Sequence, residues 1–382
     1  MFLAYTRRVK IETLAIHVGR SVAADTGAVA PPIHLSTTFE RDTDGEFSRG
    51  YIYARPGNPT RDALEQCLAA LEGGATAFAF GSGSAASLAV FSLLRPGDHV
   101  IAPIECYHGT AKQLRDIVSS WGVRCSFVDM TRADEVRAVL TPSTRLLWIE
   151  TPSNPMLNVS DIALLTSLAR AHGTLVCCDN TFATPLLQRP FEFGADLVMH
   201  STTKYFGGHS DVMGGAVIAA AVGPVADRLR DYQGTAGSVP SPFDCWLIRR
   251  SLTTFPWRVR GHAENAMRVA EFLSRDPRVE RTSYPGLAHH PGHALAKRQM
   301  RGGFGGVVSV CVRGGRAEAF AFVQRLRVFT RATSLGGVES LVEHRASVEG
   351  PHSTTPDNLL RLSIGLEHAD DLIADLDQAL GQ

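Results

Sequence analysis

Apolar positions at Leu64, Cys67, Leu68 and Leu71 recur at i, i+3, i+4 and i+7, and Gly73 and Gly74 close the run. That spacing predicts a helix over residues 60–71 with one buried face. Beyond it the period changes. Short, almost wholly apolar runs stand at Thr76–Phe80, His99–Pro103, Cys125–Val128, Leu146–Ile149, Leu175–Cys178, Leu197–Met199 and Gly215–Ala219, bounded by Gly, Pro and Asp. Runs of this length suit strands buried on both faces, and the segments between them suit crossover helices. The middle of the chain is therefore predicted to be α/β, with a mostly parallel central sheet and helices on both faces.

Upstream of Arg55 the pattern is broken by Pro31-Pro32, Gly45, Gly50 and Pro56-Gly57, which predicts an extended arm over residues 1–56. A large ligand-binding domain is expected over 57–255. After Phe255 come a long helical stretch, a Pro- and His-rich loop (Tyr284–His293), a strand-like Val307–Val312, and helices near Arg316–Leu326 and Asp370–Leu380. Residues 256–382 are accordingly expected to form a smaller C-terminal α+β domain.

Composition narrows the function. The chain has 382 residues, 44% hydrophobic and 20% charged, enough to bury a substantial core. Thirty-eight basic side chains balance thirty-eight acidic ones, so the electrostatic footprint of a nucleic-acid binder is missing. Small molecules and copies of the same chain are the expected partners. Seven cysteines (67, 106, 125, 177, 178, 245 and 311) are odd in number and lack paired CxxC spacing, which argues against a disulfide scaffold or zinc cage. No run of about 18 apolar residues occurs, and no apolar stretch follows Arg7, Arg8 and Lys10. The cytoplasm, where thiols stay reduced, is the expected location. His289, His290 and His293 lie in a Pro-Gly loop without an acidic neighbour, and are read as a solvated loop with no metal.

Gly81-Ser82-Gly83-Ser84-Ala85-Ala86 follows a predicted strand and opens a helix, where backbone N–H groups converge on an anion. The same residues match a G-x-G-x-x-A dinucleotide fingerprint, with Glu105 ending the next strand where a ribose-binding acid would stand. Taken alone the segment leaves a tight turn, a nucleotide and another phosphate all open. A second cluster breaks the tie: Asp179-Asn180-Thr181 ends one predicted strand and Ser201-Thr202-Thr203-Lys204 the next. In a ligand crevice, a lysine to condense with an aldehyde, hydroxyls of Ser201 and Thr203 for phosphate oxygens, and Asp179 for a pyridinium nitrogen together suit pyridoxal 5'-phosphate.

Further motifs carry a resemblance. Tyr53-Ala54-Arg55 with Gly57-Asn58-Pro59-Thr60, Ser82-Gly83, Glu150-Thr151-Pro152-Ser153-Asn154-Pro155, Asp179-Asn180-Thr181-Phe182, Ser201–Lys204, Ser334–Ser340 and Arg361–Glu367 occur in order across nearly the whole chain. In these the sequence resembles the Cys/Met-metabolism family of pyridoxal-phosphate enzymes, of fold type I. That family includes cystathionine γ-synthase, cystathionine γ-lyase, methionine γ-lyase and the homoserine-ester sulfhydrylases. The resemblance implies an active site shared between subunits of a homo-oligomer, a tetramer built from dimers, in which Tyr53 and Arg55 reach the neighbour's cofactor phosphate. It implies that Gly83, Ser84, Ser201 and Thr203 surround that phosphate, that Tyr107 stacks on the cofactor ring, and that Asn154 hydrogen-bonds its phenolic oxygen. Arg361 grips the substrate α-carboxylate, with Ser334 and Asn154 nearby and Thr333 facing the distal part of the substrate. Lys204 moves protons at Cα and Cβ, and Tyr107 assists departure of the group on Cγ. The implied reaction is γ-replacement or γ-elimination on a homoserine ester or cystathionine-like amino acid.

The sequence also departs from that pattern. Thr333 stands where cystathionine-handling relatives carry a glutamate, which weakens recognition of a distal ammonium. Gly109 stands where methionine γ-lyases place a cysteine, and His108 follows Tyr107 as a second acid–base candidate or a loop histidine. Arg345 replaces a usual proline, Ser84 a common methionine, and Ser347–Leu360 is shortened, so an unusual homoserine derivative is a credible substrate. Two other readings stay in view: a nicotinamide-dependent oxidoreductase, from the glycine turn and Glu105, and a catalytically silent homologue, from the altered entrance.

Overall fold

The computed structural model describes residues 9–350 and 355–381. Seven strands, β1 (Thr76–Phe80), β2 (His99–Pro103), β3 (Arg124–Val128), β4 (Thr144–Glu150), β5 (Leu175–Asp179), β6 (Leu197–His200) and β7 (Gly215–Ala219), form one sheet in the order β1-β7-β6-β5-β4-β2-β3. All neighbours are parallel except β7, which runs antiparallel to both β1 and β6. Except for the edge strand β3, of which only Val128 is buried, the strands are buried along nearly their whole length, as expected for a sheet covered on both faces. Their carboxyl ends carry the chemistry: Glu150 ends β4 opposite Asp179 at the end of β5. Open α/β sheets bind ligands beyond these ends.

The second sheet contains β8 (Val279–Ser283), β9 (Val307–Val312), β10 (Thr330–Arg331), β11 (Leu341–His344) and β12 (Leu359–Ser363), in the order β10-β11-β12-β9-β8. Only the β10–β11 pair is parallel. The apolar pattern identified β9 alone. Register places Arg361 of β12 between Ser309 of β9 and Glu343 of β11. Ser309 Oγ donates to the carbonyl of Pro155 at 2.6 Å, docking this sheet on the loop that follows β4.

The helix expected over 60–71 spans Pro59–Glu72. Asn58 caps it, its side chain accepting from the N–H groups of Thr60 and Arg61, and Gly73 ends it in the left-handed region at φ +84°. The segment expected to be a wholly extended arm instead contains a helix, Ile11–His17, while its first eight residues lie outside the described residues. That helix buries Leu14 and Ala15 in the same apolar cluster as Leu64, Leu252 and Phe255. Arg249 grips its end by donating to the carbonyls of Ala15 (3.0 Å) and Ile16 (3.1 Å). Farther along, Val22, Val29, Leu35 and Ile52 are exposed.

The histidine loop is not uniformly solvated as expected. His290 is buried, accepts from the N–H of Gly292 at 3.0 Å, and burial pushes its pKa down to about 4. All seven cysteines are unpaired; six are buried and Cys125 is half-buried. Among the described residues, no helix is long and apolar enough to cross a membrane.

Candidate active site

The glycine turn forms as a capped helix start. Ser82 precedes the helix Gly83–Phe91 and its Oγ accepts from the N–H of Ala85 at 3.0 Å. A side chain at Gly83 would bring a Cβ within 2.8 Å of Ser201 Cβ, so glycine is what lets the turn lie against the end of β6. Ser82, Gly83, Ser84, Ser201 and Thr203 line one cavity of ≈ 220 Å³. The N–H groups of a helix's first turn have no intrahelical partners, so this rim suits a phosphate. Thr203 Oγ1 donates to the carbonyl of Gly214 (3.1 Å) and accepts from its N–H (3.0 Å), so its proton is already engaged.

Lys204 lines the same cavity, and its Nζ donates to Ser334 Oγ at 2.7 Å. Burial, reinforced by the guanidinium of Arg361, lowers its pKa to about 8. Ser334 adopts φ +91°, rare for a non-glycine residue and frequent at functional sites.

Asp179 is buried and lines the same cavity, with Oδ1 accepting from the N–H of Thr181 at 3.0 Å. Burial raises its pKa, against the hydrogen bonds from Thr181. Glu150 beside it is raised well above the carboxylate range by burial and by the Asp179 charge, and Oε2 accepts from the N–H of Tyr107 at 2.9 Å. A cationic ring nitrogen beside Asp179 would restore the lost stabilisation of that carboxylate. Tyr107 lines the cavity with its ring 4.7 Å from that of His108. Gly109 makes room, since a Cβ there would meet the Tyr107 ring at 2.4 Å. His108 also lines the cavity, its pKa lowered by burial and by Arg345.

Arg361 is buried at the remaining wall. It donates to Asn154 Oδ1 (3.0 Å), the carbonyl of Ser334 (3.1 Å) and Glu343 Oε2 (2.6 Å), and its buried Nε has no partner. A guanidinium that lines a cavity suits a carboxylate ligand. Burial, with Arg345 nearby, lowers its pKa to about 10. Glu343 would be raised by burial, but Arg361 and Arg345 hold it below its usual value, and Thr333 also donates to it. Glu343 was not singled out from the sequence; its position depends on the β11–β12 register, which no local pattern encodes.

Lys204, Asp179, Asn154, Ser334, Arg361, Tyr107, Ser201, Thr203, Gly83, Ser84 and Thr333 thus surround one cavity, joined by Arg345 and Thr181. The Gly83–Ser201 approach, the buried Asp179 carboxylate and the Lys204 amine fit pyridoxal phosphate. Tyr53 and Arg55 do not line this cavity; both are exposed, and Arg55 donates to the carbonyl of Gly234. Glu105, the acid on which the nicotinamide reading rested, also stands outside it, accepting from Asn158 Nδ2 (2.6 Å) and Ser153 Oγ (3.2 Å).

Comparison with known proteins agrees with this geometry. Cystathionine gamma-synthase of Mycobacterium tuberculosis is 49% identical over 375 residues, covering 97% of this chain and 96% of that one. Cystathionine gamma-lyase of Dictyostelium discoideum is 42% identical, with 97% of each chain covered. The crystal structure of cystathionine gamma synthase from Xanthomonas oryzae pv. oryzae in complex with aminoacrylate and cysteine superposes with a TM-score of 0.94 at 43% identity, covering 97% of this chain and 98% of that one. The profile of the family described as "Cys/Met metabolism PLP-dependent enzyme" matches residues 12–381, and the chain belongs to that family.

Proposed function

We propose that the chain catalyses γ-replacement or γ-elimination on a γ-substituted L-amino acid, a homoserine ester or cystathionine-like substrate, in the manner of the cystathionine γ-synthases and γ-lyases. The observation that carries this reading is the facing of Lys204, Asp179 and Arg361 around one cavity in a chain 49% identical to a cystathionine gamma-synthase. Pyridoxal phosphate, when bound, supplies an electron sink for negative charge at the substrate Cα. Lys204 would hold its aldehyde end, Asp179 its ring nitrogen, Tyr107 and Asn154 its ring and phenolic oxygen, and the Gly83–Ser84 turn with Ser201 and Thr203 its phosphate.

Arg361 takes the substrate α-carboxylate with its guanidinium, fixing Cα against the lysine. Lys204, its amine held by Ser334, removes the Cα proton and then moves a proton at Cβ. A pKa of about 8 suits a group that both takes and returns protons near neutrality. Tyr107 assists the leaving group at Cγ. The cavity is read as shared between subunits of a homo-oligomer, Tyr53 and Arg55 serving the neighbour's phosphate; the exposed apolar Val22, Val29, Leu35 and Ile52 of the arm support such burial. A reducing cytoplasm suits the seven unpaired cysteines.

The test is Lys204→Ala in purified protein supplied with the cofactor. The visible band of the bound cofactor should disappear, and conversion of γ-substituted amino acids should fall by roughly 10³-fold or more. A variant that keeps both band and turnover overturns the reading.

A further inference from the structure

Arg345 has no role in the chemistry above, yet it is a buried guanidinium lining the same cavity. Its Nη1 donates to Glu343 Oε2 at 2.7 Å, the same oxygen that accepts from Arg361 at 2.6 Å, so one carboxylate bridges two guanidiniums. Its Nη2 and Nε lie 2.9 and 3.0 Å from Glu349 Oε1, and Nη2 lies 3.5 Å from His108 Nδ1.

The placement of these charges is asymmetric. Arg345, Arg361 and Lys204 line the cavity, whereas Glu343 and Glu349 do not. Glu349 faces instead a neighbouring cavity of ≈ 500 Å³, which shares His108 and Asn154 with the first. The acids that do line the first cavity are committed elsewhere: Asp179 accepts from the N–H of Thr181 and is read as the partner of the cofactor's ring nitrogen, and Glu150 accepts from the Tyr107 backbone and is driven toward its neutral form by burial. Thr333 adds no charge and gives its hydroxyl proton to Glu343. This wall therefore presents cations to a substrate and offers no carboxylate to receive an ammonium.

Resting on the γ-substitution reading, we propose that Arg345 is a specificity-determining residue that receives an anionic group, carboxylate or phosphate, at the far end of the substrate's γ-substituent. Glu349 occupies the guanidinium fork until the substrate arrives and then turns into the neighbouring cavity. The exchange replaces one anion by another at Arg345, so the charge facing that guanidinium is unchanged. Planar, two-point pairing makes arginine the side chain suited to this task.

The test compares wild-type holoenzyme with Arg345→Gln on O-succinyl-, O-phospho- and O-acetyl-L-homoserine. The first two carry an anion on the leaving group and the third does not. Arg345→Gln should lower kcat/KM by about 10- to 100-fold on the anionic ester that the site prefers, and by less than about 3-fold on the acetyl ester. Whichever anionic ester suffers the larger loss identifies carboxylate or phosphate as the recognised group. Equal losses on all three esters would reduce Arg345 to a prop for Glu343 and Arg361 and overturn the proposal, as would no loss on any.

Binding of two unreactive amino acids, L-2-aminosuberate with a terminal carboxylate and L-2-aminooctanoate without one, is measured by calorimetry and needs no turnover. Wild type should favour the first by about 10-fold or more, and Arg345→Gln should abolish that preference. If no ester is converted but the preference appears and depends on Arg345, the reaction assigned above fails and the anion site stands. Should Arg345→Gln not fold, Glu349→Gln, which leaves the guanidinium and removes its competitor, should tighten aminosuberate binding severalfold and leave aminooctanoate unchanged. An unchanged aminosuberate affinity in that variant would also overturn the proposal.

Discussion

At the scale of single residues, the chemistry rests on groups whose burial shifts their proton affinity away from its value in water. Lys204 is the clearest, its pKa lowered from 10.5 to about 8 by burial and by Arg361. In the protein without cofactor this lowered value is a stability term. Between pH 8 and 10.5 the unfolded chain binds more protons at this position than the folded one, so stability rises with pH across that window. Below it the folded state carries the full penalty of a buried ammonium. Lys204→Met should therefore stabilise the cofactor-free protein by about 1–3 kcal/mol near neutral pH, with the gain vanishing above the unfolded value; urea melts at several pH values check it. Ser334→Ala, which frees the lysine amine, should keep the cofactor band but lower turnover by about 10-fold. Much of this scale was legible in the sequence, because Lys204, Asp179 and Arg361 sit in local motifs. Glu343 and Glu349 were not, since their meaning depends on which guanidiniums the fold sets beside them.

At the scale of elements, legibility followed burial. The strands of the large sheet, apart from the half-exposed edge strand β3, are covered on both faces and read as apolar runs, and all seven were found within a few residues. The second sheet was largely missed. Glu280 and Arg281 interrupt β8, Glu343 interrupts β11 and Arg361 interrupts β12, and the last two are charged because the site needs them there. The helix Ile11–His17 escaped notice because it is short and its N-cap, Lys10, makes no side-chain capping bond. The junction between helix and strand at the phosphate rim yields a sharp prediction. Gly83→Ala would press a Cβ to within 2.8 Å of Ser201, so it should destabilise by about 1–3 kcal/mol and weaken cofactor retention, measured by thermal melts and by dialysis against buffer. Removing the Asn58 cap should act differently. Asn58→Ala loses bonds to Thr60 and Arg61 and the donation from Nδ2 to the carbonyl of His34, costing about 1–2 kcal/mol without changing the cofactor band.

At the scale of the whole molecule, the cavity of one chain lacks Tyr53 and Arg55 of that same chain. If these act on a neighbour, a Lys204→Ala chain and an Arg55→Ala chain are each inactive alone but complement each other when co-expressed. Random pairing into dimers should then restore about one quarter of wild-type activity, since half the pairs are mixed and each holds one intact site. Activity no greater than the sum of the two variants would place both residues in their own chain's site or in neither. The seven unpaired cysteines have a consequence of their own. Six are buried, Cys106 beside the cavity that Glu349 faces, and burial disfavours their thiolates; the seventh, Cys125, is only half-buried with its thiol pushed up to about 11. In a catalyst of sulfur-compound chemistry built this way, the thiols should react slowly with disulfides and electrophiles while the chain is folded. Its sulfurs would enter reaction with a maleimide chiefly as the chain comes apart, making each a built-in reporter of unfolding.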